Sequence, residues 1–594
     1  MRKISFRKTA GCLLLPPVLF AQAQGSNIVI QVEAIRIMAA ATPDSTPLQD
    51  IPGLRLRQQG RGHPQSDLSI RGSAFNAAGL TLNGLSIRNA QTEHWHASLT
   101  IPASWMEQPY VLTGMDRFRL ASGHPAGSVG LNLAPLLSDE HCLTVGGGNF
   151  GNLFGGINLT TVEYYEQSIV GSAAFLNYHH ADQTDAHKQN DLDRIVTGGR
   201  VSRLTSKTQA DLLATIAQSR FGARGFYGAS HTYPAEEELW DAMALGSLRL
   251  VEDPENPAAM TALWRRTNDS YWLDRHNHAF YQNQHITDFF ALHGDQKTTF
   301  NEIFSLDSRA DLDLETIKSR SLGNHHRSHA SLALIPNMAL GAVQLSAGGS
   351  LDLFSAYSPR LLPAAGVEWT CFENHTLFIS YTESLRQPSY TELNYKSPDS
   401  LGNSGLSRQQ THTTEAGYKG ETESLKWQLT AFYEYAHDTV DWIKTAPASR
   451  WSAENLETIE SVGVSALGHI VLNRQTELLL EALLLDKSCD TRLYASRYAL
   501  DYPELSTTVA LAQYLTDDLT LTVKQELAQY RSNPARAHSD WSYNSSIEVQ
   551  WRLPTKPLLA LNAGVSNLLD DNFQIFPGQE TLGRAFHTSL TYRW

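Results

Sequence analysis

The chain has 594 residues, 42% of them hydrophobic and 18% charged, and a net charge of −14. It is too apolar for a disordered chain, and its acidity excludes a general nucleic-acid binder, which carries a basic footprint. Nothing in the composition marks collagen, a coiled coil or a disulfide scaffold.

The N-terminus reads as an export signal. Arg2, Lys3, Arg7 and Lys8 form a basic region, Cys12 to Phe20 a short apolar one, and Ala21-Gln22-Ala23 a small-residue cleavage site. Residues 1–23 are therefore expected to be removed. The apolar stretch is too short to span a bilayer. Cys142, Cys371 and Cys489 remain, with no C-x-x-C spacing, so zinc or thioredoxin-like chemistry is not indicated.

Residues 24–137 carry short β-like pieces (Leu68 to Arg71, Leu80 to Ile87, Tyr110 to Thr113, Phe118 to Ala121) separated by Gly and Pro. From 138 onward the pattern changes. The glycine-rich segment from Val145 to Gly156 reads as a first strand, and period-two alternation recurs to the end. In 541–553, Trp541, Tyr543, Ile547, Val549, Trp551 and Leu553 share one face, opposite Ser542, Asn544, Ser546, Glu548, Gln550 and Arg552. Segments 425–435, 586–594, 377–382 and 557–565 alternate similarly. Charged or polar stretches 181–194, 228–274 and 390–412 read as long loops.

No run of 18 apolar residues follows the signal. One apolar face, one polar face, aromatics near strand ends and a terminal Trp594 suit a transmembrane sheet, which must close because lipid offers its edges no partner. The fold class expected is all-β membrane: an antiparallel barrel of about 22 strands over 138–594, with residues 24–137 forming a tail and a plug inside the lumen. A plugged barrel is a transporter. No G-x-S-x-G or H-E-x-x-H motif and no acid pair at a recognisable spacing supports an enzyme.

Several motifs resemble those of TonB-dependent outer-membrane receptors. In the plug these are Ile51-Pro52-Gly53-Leu54, Asp67 to Ser73 with Ile70-Arg71-Gly72, and Leu82-Asn83-Gly84. Asn83 stands where the family usually has Asp, and it keeps the turn chemistry. In the barrel they are Ser358-Pro359-Arg360, Tyr381 to Leu393, Gly402 to Leu406, Thr414 to Lys419, Val565 to Asp570 and Gly583 to Phe586. Asn89 to Pro102 and Phe221 to Gly228 are similar to cobalamin-receptor-like members.

The resemblance implies an outer-membrane active-transport receptor that imports a scarce nutrient into the periplasm. Cobalamin or a related corrinoid is expected first and a ferric siderophore or other metal chelate second. A surface binding protein without coupled uptake is the alternative of another class. The implied partner is a TonB-type inner-membrane coupling protein, contacted by Ile28, Val29, Ile30, Gln31 and Val32. A monomer in outer-membrane lipid is expected. Ligand contacts are expected from Arg88, Asn89, Gln91, Trp95, Phe226, Tyr227 and Tyr233, because plug apices and outer loops carry such sites. Arg71 is expected to tie plug to barrel through its planar fork.

No catalytic residue, resident cofactor or metal site is expected. His94 and His96 flank Trp95 on one strand face, a spacing that a metal pair or chance among 22 histidines explains. Glu236-Glu237-Glu238 reads as a solvated loop. Calcium that orders an outer loop is the alternative, and it would need further oxygen ligands besides these three residues.

Overall fold

The computed structural model describes residues 46–58, 63–95, 97–121, 123–182, 191–226, 233–490, 493–537 and 539–594. Among them, 22 long strands form one closed antiparallel barrel. Its first strand, Glu140–Gly148, pairs with its last, Ala585–Arg593, with Thr588 opposite Gly147 and Arg593 opposite Cys142. Closure leaves no edge, so backbone groups in the hydrocarbon are all partnered. No helix among the described residues is long and apolar enough to cross a membrane. The three described cysteines are free thiols.

The alternation sorts side chains as lipid demands. In Thr208–Gly222, Leu212 and Ile216 are exposed on the outside, while Asp211, Leu213, Thr215 and Ser219 are buried inside. In Trp541–Leu553 the outer face shows Tyr543, Val549 and Trp551. The inner face holds Asn544 and Glu548, which bond to the neighbouring strands. Trp594 stacks on Tyr592 at one rim, its ring centroid 5.3 Å away.

The lumen is filled by described residues between 46 and 139. A four-stranded sheet runs in the order Leu85–Ile87, Ala78–Leu82, Gly127–Leu131, Tyr110–Leu112. A separate pair joins Leu54–Gln58 to Ser66–Ile70, with Arg57 opposite Asp67. Leu80, Leu82, Val129 and Leu131 are fully buried and share one core with wall residues Phe175, Leu213 and Phe289. Arg200, Arg265 and Arg309 of the wall reach inward to plug carbonyls: Trp105 and Ala134, Ser98, and Phe118 and Ala121 respectively.

Three sequence expectations change. Phe118–Ala121 is not a strand; Gly114–Leu120 is a helix. Met115 and Phe118, three residues apart, pack together on Ile335, Leu362 and Leu385. The glycine-rich segment is a hairpin and not one strand: Glu140–Gly148 turns at Phe150 and Gly151, both with positive φ, into Leu153–Tyr165. The charged stretch 228–274 is mostly two barrel strands, Glu236–Leu250 and Ala258–Trp272. Their inward charges, Asp241, Arg265 and Asp269, are buried against the plug and resemble loop charges only in composition.

Candidate functional site

Strand connections are short at one rim, such as 341–342, 474–475 and 517–518. They are long at the other, where 387–408, 490–502 and 567–584 lie. Short turns face the periplasm in such barrels, so the long-loop rim is the outer mouth. There the plug loop from Arg88 to Trp95 meets the external helix Tyr390–Asn394. Backbone bonds join them: Tyr390 N–H to the Ala90 carbonyl at 3.0 Å and Thr391 N–H to the Gln91 carbonyl at 3.1 Å. The helix is set by a capping box, Ser389 with Glu392.

Beneath this helix lies Arg386, whose side chain is 1% exposed. Its Nη2 donates to Glu93 of the plug at 2.9 Å and to both oxygens of Glu392, at 2.6 and 2.7 Å. Its Nε and Nη1 have no partner among the described residues. Burial pushes the Glu93 carboxyl up to about 7; Arg386 opposes the rise and Glu392 adds to it.

Guanidinium groups at this rim stack on rings. Arg327 lies 4.7 Å from the Tyr390 centroid, Arg408 5.0 Å from Tyr357 and Arg497 5.6 Å from Tyr498. Arg57 lies 5.1 Å from Phe576, and its Nε and Nη2 are buried without a partner among the described residues. His94 stacks on Phe75 at 3.8 Å, and Tyr498 packs edge-on against both. This surface can hold flat anionic groups through combined charge and ring contacts.

The predicted ligand residues divide. Arg88 is half-buried, 5.9 Å from the Phe354 ring. Asn89 is buried and shapes the loop: its Oδ1 accepts from the N–H groups of Gln91 and Thr92. Gln91 is 1% exposed and donates to Asp269 of the wall. These two serve the plug's seat in this state. Trp95 closes the 3-10 turn Glu93–Trp95. Phe226 sits elsewhere, 4% exposed in a cluster with Phe221 and Leu239. Tyr233 is exposed and stacked on Phe280. Tyr227, His96, the segment Ile28–Val32 and the export signal lie outside the described residues. His94 pairs with Asp67 at 2.7 Å.

Glu236 and Glu237 are buried at the start of a strand, where a solvated loop was expected; Glu236 pairs with Arg220 and Arg275. Among the described residues no group of three or more His, Cys, Asp or Glu is placed to hold a metal ion. Sequence reading missed Arg57, Glu93, Arg386 and Glu392 as site residues. The last two lie within the Tyr381–Leu393 motif, where a buried charge is indistinguishable from a loop charge.

Arg71 reaches from the plug to the wall. Its Nη1 and Nη2 donate to Glu415 at 2.7 and 3.4 Å, its Nη2 also to Thr113 at 3.1 Å, and its guanidinium lies 4.9 Å from the Phe432 ring.

His63, behind the mouth, is 2% exposed and lies edge-on to Phe221. Burial holds its imidazole down to about 4 from 6.5, with Arg194 adding to the fall and a backbone hydrogen bond of Gln65 and the charge of Asp191 opposing it. The unfolded state then binds more protons between these values, so stability falls as pH drops through that window. Protection factors of the amides around His63, which divide out the intrinsic slowing of exchange in acid, are expected to fall between pH 7 and pH 5 in the wild type and to change much less in His63→Phe.

The family model described as TonB dependent receptor-like, beta-barrel, matches residues 146–568. Among solved structures, the siderophore receptor PirA of Pseudomonas aeruginosa superposes with a TM-score of 0.71 at 15% identity, over 95% of this chain and 98% of that one. A variant of the ferric enterobactin receptor PfeA of Pseudomonas aeruginosa, in complex with enterobactin, gives 0.73 at 15% identity, over 93% and 97%. The FrpB iron transporter of Neisseria meningitidis gives 0.72 at 11% identity, over 92% and 96%. These likenesses are of fold. The family match covers most of the chain and settles its class: the protein belongs to the TonB-dependent receptors, transport receptors of the outer membrane and not enzymes.

Proposed function

We propose that this receptor imports an anionic ferric chelate of the siderophore class, driven by a TonB-type partner that engages the tail near Ile28–Val32. The observation that carries the reading is the outer mouth. Arg57, Arg327, Arg408 and Arg497 lie against aromatic rings, and Arg57 and Arg386 hold buried N–H groups with no acceptor among the described residues. Buried donors without partners cost free energy until an acceptor arrives. A catecholate or carboxylate chelate supplies anionic oxygens and, in the catecholate case, flat rings. A corrinoid rim of amides and methyls needs no such set of cations. The order taken from sequence, corrinoid before siderophore, is therefore reversed. The named ligand classes of PirA and PfeA agree with this choice.

Tryptophan fluorescence of the detergent-purified protein tests it, with ferric enterobactin, a neutral ferric hydroxamate and cyanocobalamin as titrants. Saturable quenching by ferric enterobactin at sub-micromolar concentration, with none by cyanocobalamin, is the expected result. Binding of cyanocobalamin alone would overturn the reading.

A further inference from the structure

The two carboxylates on Arg386 are not equivalent. Glu392 belongs to the barrel's external helix and is held many times over. Its carboxylate accepts from Ser389 N–H at 2.7 Å, Ser389 Oγ at 3.1 Å and Asn76 Nδ2 at 3.3 Å, besides Arg386. Glu93 belongs to the plug, and Arg386 is its one described side-chain partner. Glu93 is also the more open of the pair, with 14% of its side chain exposed against 6% for Glu392. An acceptor entering from outside thus meets Glu93 first, in front of a guanidinium with two idle nitrogens.

The residue after Glu93 leads inward. His94 Nδ1 lies 2.7 Å from Asp67 Oδ1, and Asp67 is 2% exposed. Asp67 sits on Ser66–Ile70, opposite Arg57 on Leu54–Gln58. The chain just before Leu54–Gln58 is fastened to the wall by Asp50 to Lys524 at 2.6 Å and by the Gly53 N–H to Glu481 at 3.3 Å. It is the first described segment after the tail. A path made of the Glu93–Arg386 and His94–Asp67 contacts, the pairing of two plug strands and the chain itself therefore runs from the outer mouth to Asp50, near the first described residue.

We propose that Arg386 is a ligand-operated latch: an anionic oxygen of the bound chelate replaces the Glu93 carboxylate on Arg386, and the released turn loosens Leu54–Gln58 through the His94–Asp67 pair. No bond is made or broken; one acceptor is exchanged for another on the same donor. The required differential contact is explicit: in the state in which Glu93 has left, the ligand takes the Nη2 hydrogen that Glu93 held in addition to the Nε and Nη1 hydrogens. Latch and ligand class rest on the siderophore reading, but the wiring does not.

Hydrogen-exchange mass spectrometry on the full chain in detergent tests this without any ligand. Glu93→Ala and Glu93→Gln are compared with wild type and with Thr100→Val. The last removes a plug–wall contact to Thr215 in another sector. The latch predicts that exchange of the amides in 54–58 rises about tenfold or more in Glu93→Ala, about the factor that one lost contact of 1.4 kcal/mol produces. A smaller rise is expected in Glu93→Gln and none in Thr100→Val. A rise confined to 90–95, with 54–58 unchanged in both Glu93 variants, overturns it. In a second arm ferric enterobactin is added to the wild type. Binding that leaves 54–58 protected also overturns the latch. Absence of binding speaks against the proposed cargo, while the ligand-free comparison still decides the latch.

Discussion

Arg71→Ala is expected to unseat the plug while leaving the barrel folded. The Arg71 and Glu415 side chains are 9% and 4% exposed and meet at 2.7 Å. Removing one partner of a buried pair costs about 3–5 kcal/mol, mostly because the other charge stays buried and alone. Glu415 would be left facing Gly114, whose position leaves no room for a side chain to cover it: a Cβ built there lies 2.9 Å from the carboxylate. The plug transition in a thermal melt should fall well below the barrel transition. Limited proteolysis should cut between 46 and 137 while the heat-modifiable barrel band persists. Glu415→Gln in the Arg71→Ala background should recover part of the loss, because it removes the stranded charge. An unchanged plug transition in Arg71→Ala would show that the pair is dispensable.

Arg200→Ala is expected to have an effect of similar size in a different sector. Arg200 is 0% exposed at its side chain and pairs with Asp211, itself 2% exposed, at 2.6 Å. The same guanidinium donates to the carbonyls of Trp105 at 3.1 Å and Ala134 at 2.6 Å. Its loss leaves the buried Asp211 carboxylate with Gln209 but no cation, and removes a donor from the Ala134 and Trp105 carbonyls, again about 3–5 kcal/mol. Arg200→Lys should not restore stability, since one ammonium cannot span the carboxylate and both carbonyls in the geometry of a planar fork. The loss should appear as faster exchange at residues 103–106 and 131–134. It should add to that of Arg71→Ala in the double variant, since the two sites share no partner.

The barrel was legible because lipid imposes one rule on every strand. Trp541–Leu553 and Leu558–Ser566 have the bounds their alternation implied, within a residue or so. The rule fails where the inner face packs on protein. Asp241, Arg265 and Asp269 are inward charges on strands, and they made 228–274 read as loop. It also fails for short elements, where Gly114–Leu120 offers too few residues to show a helical period. The mouth was half legible. Its plug side, Arg88 to Trp95, stood out by its likeness to family motifs. Its barrel side depends on contacts such as Glu93 to Arg386, separated by almost three hundred residues, and one sequence carries no signal of that pairing.

The most direct test of the central claim is uptake of radiolabelled ferric enterobactin by intact cells in which this protein is the only receptor, with and without residues 28–32. Energy-dependent uptake by the full chain, its loss on deleting the segment, and undiminished surface binding by both are expected. Equal uptake with and without the segment, or uptake that survives collapse of the proton gradient, would contradict the claim.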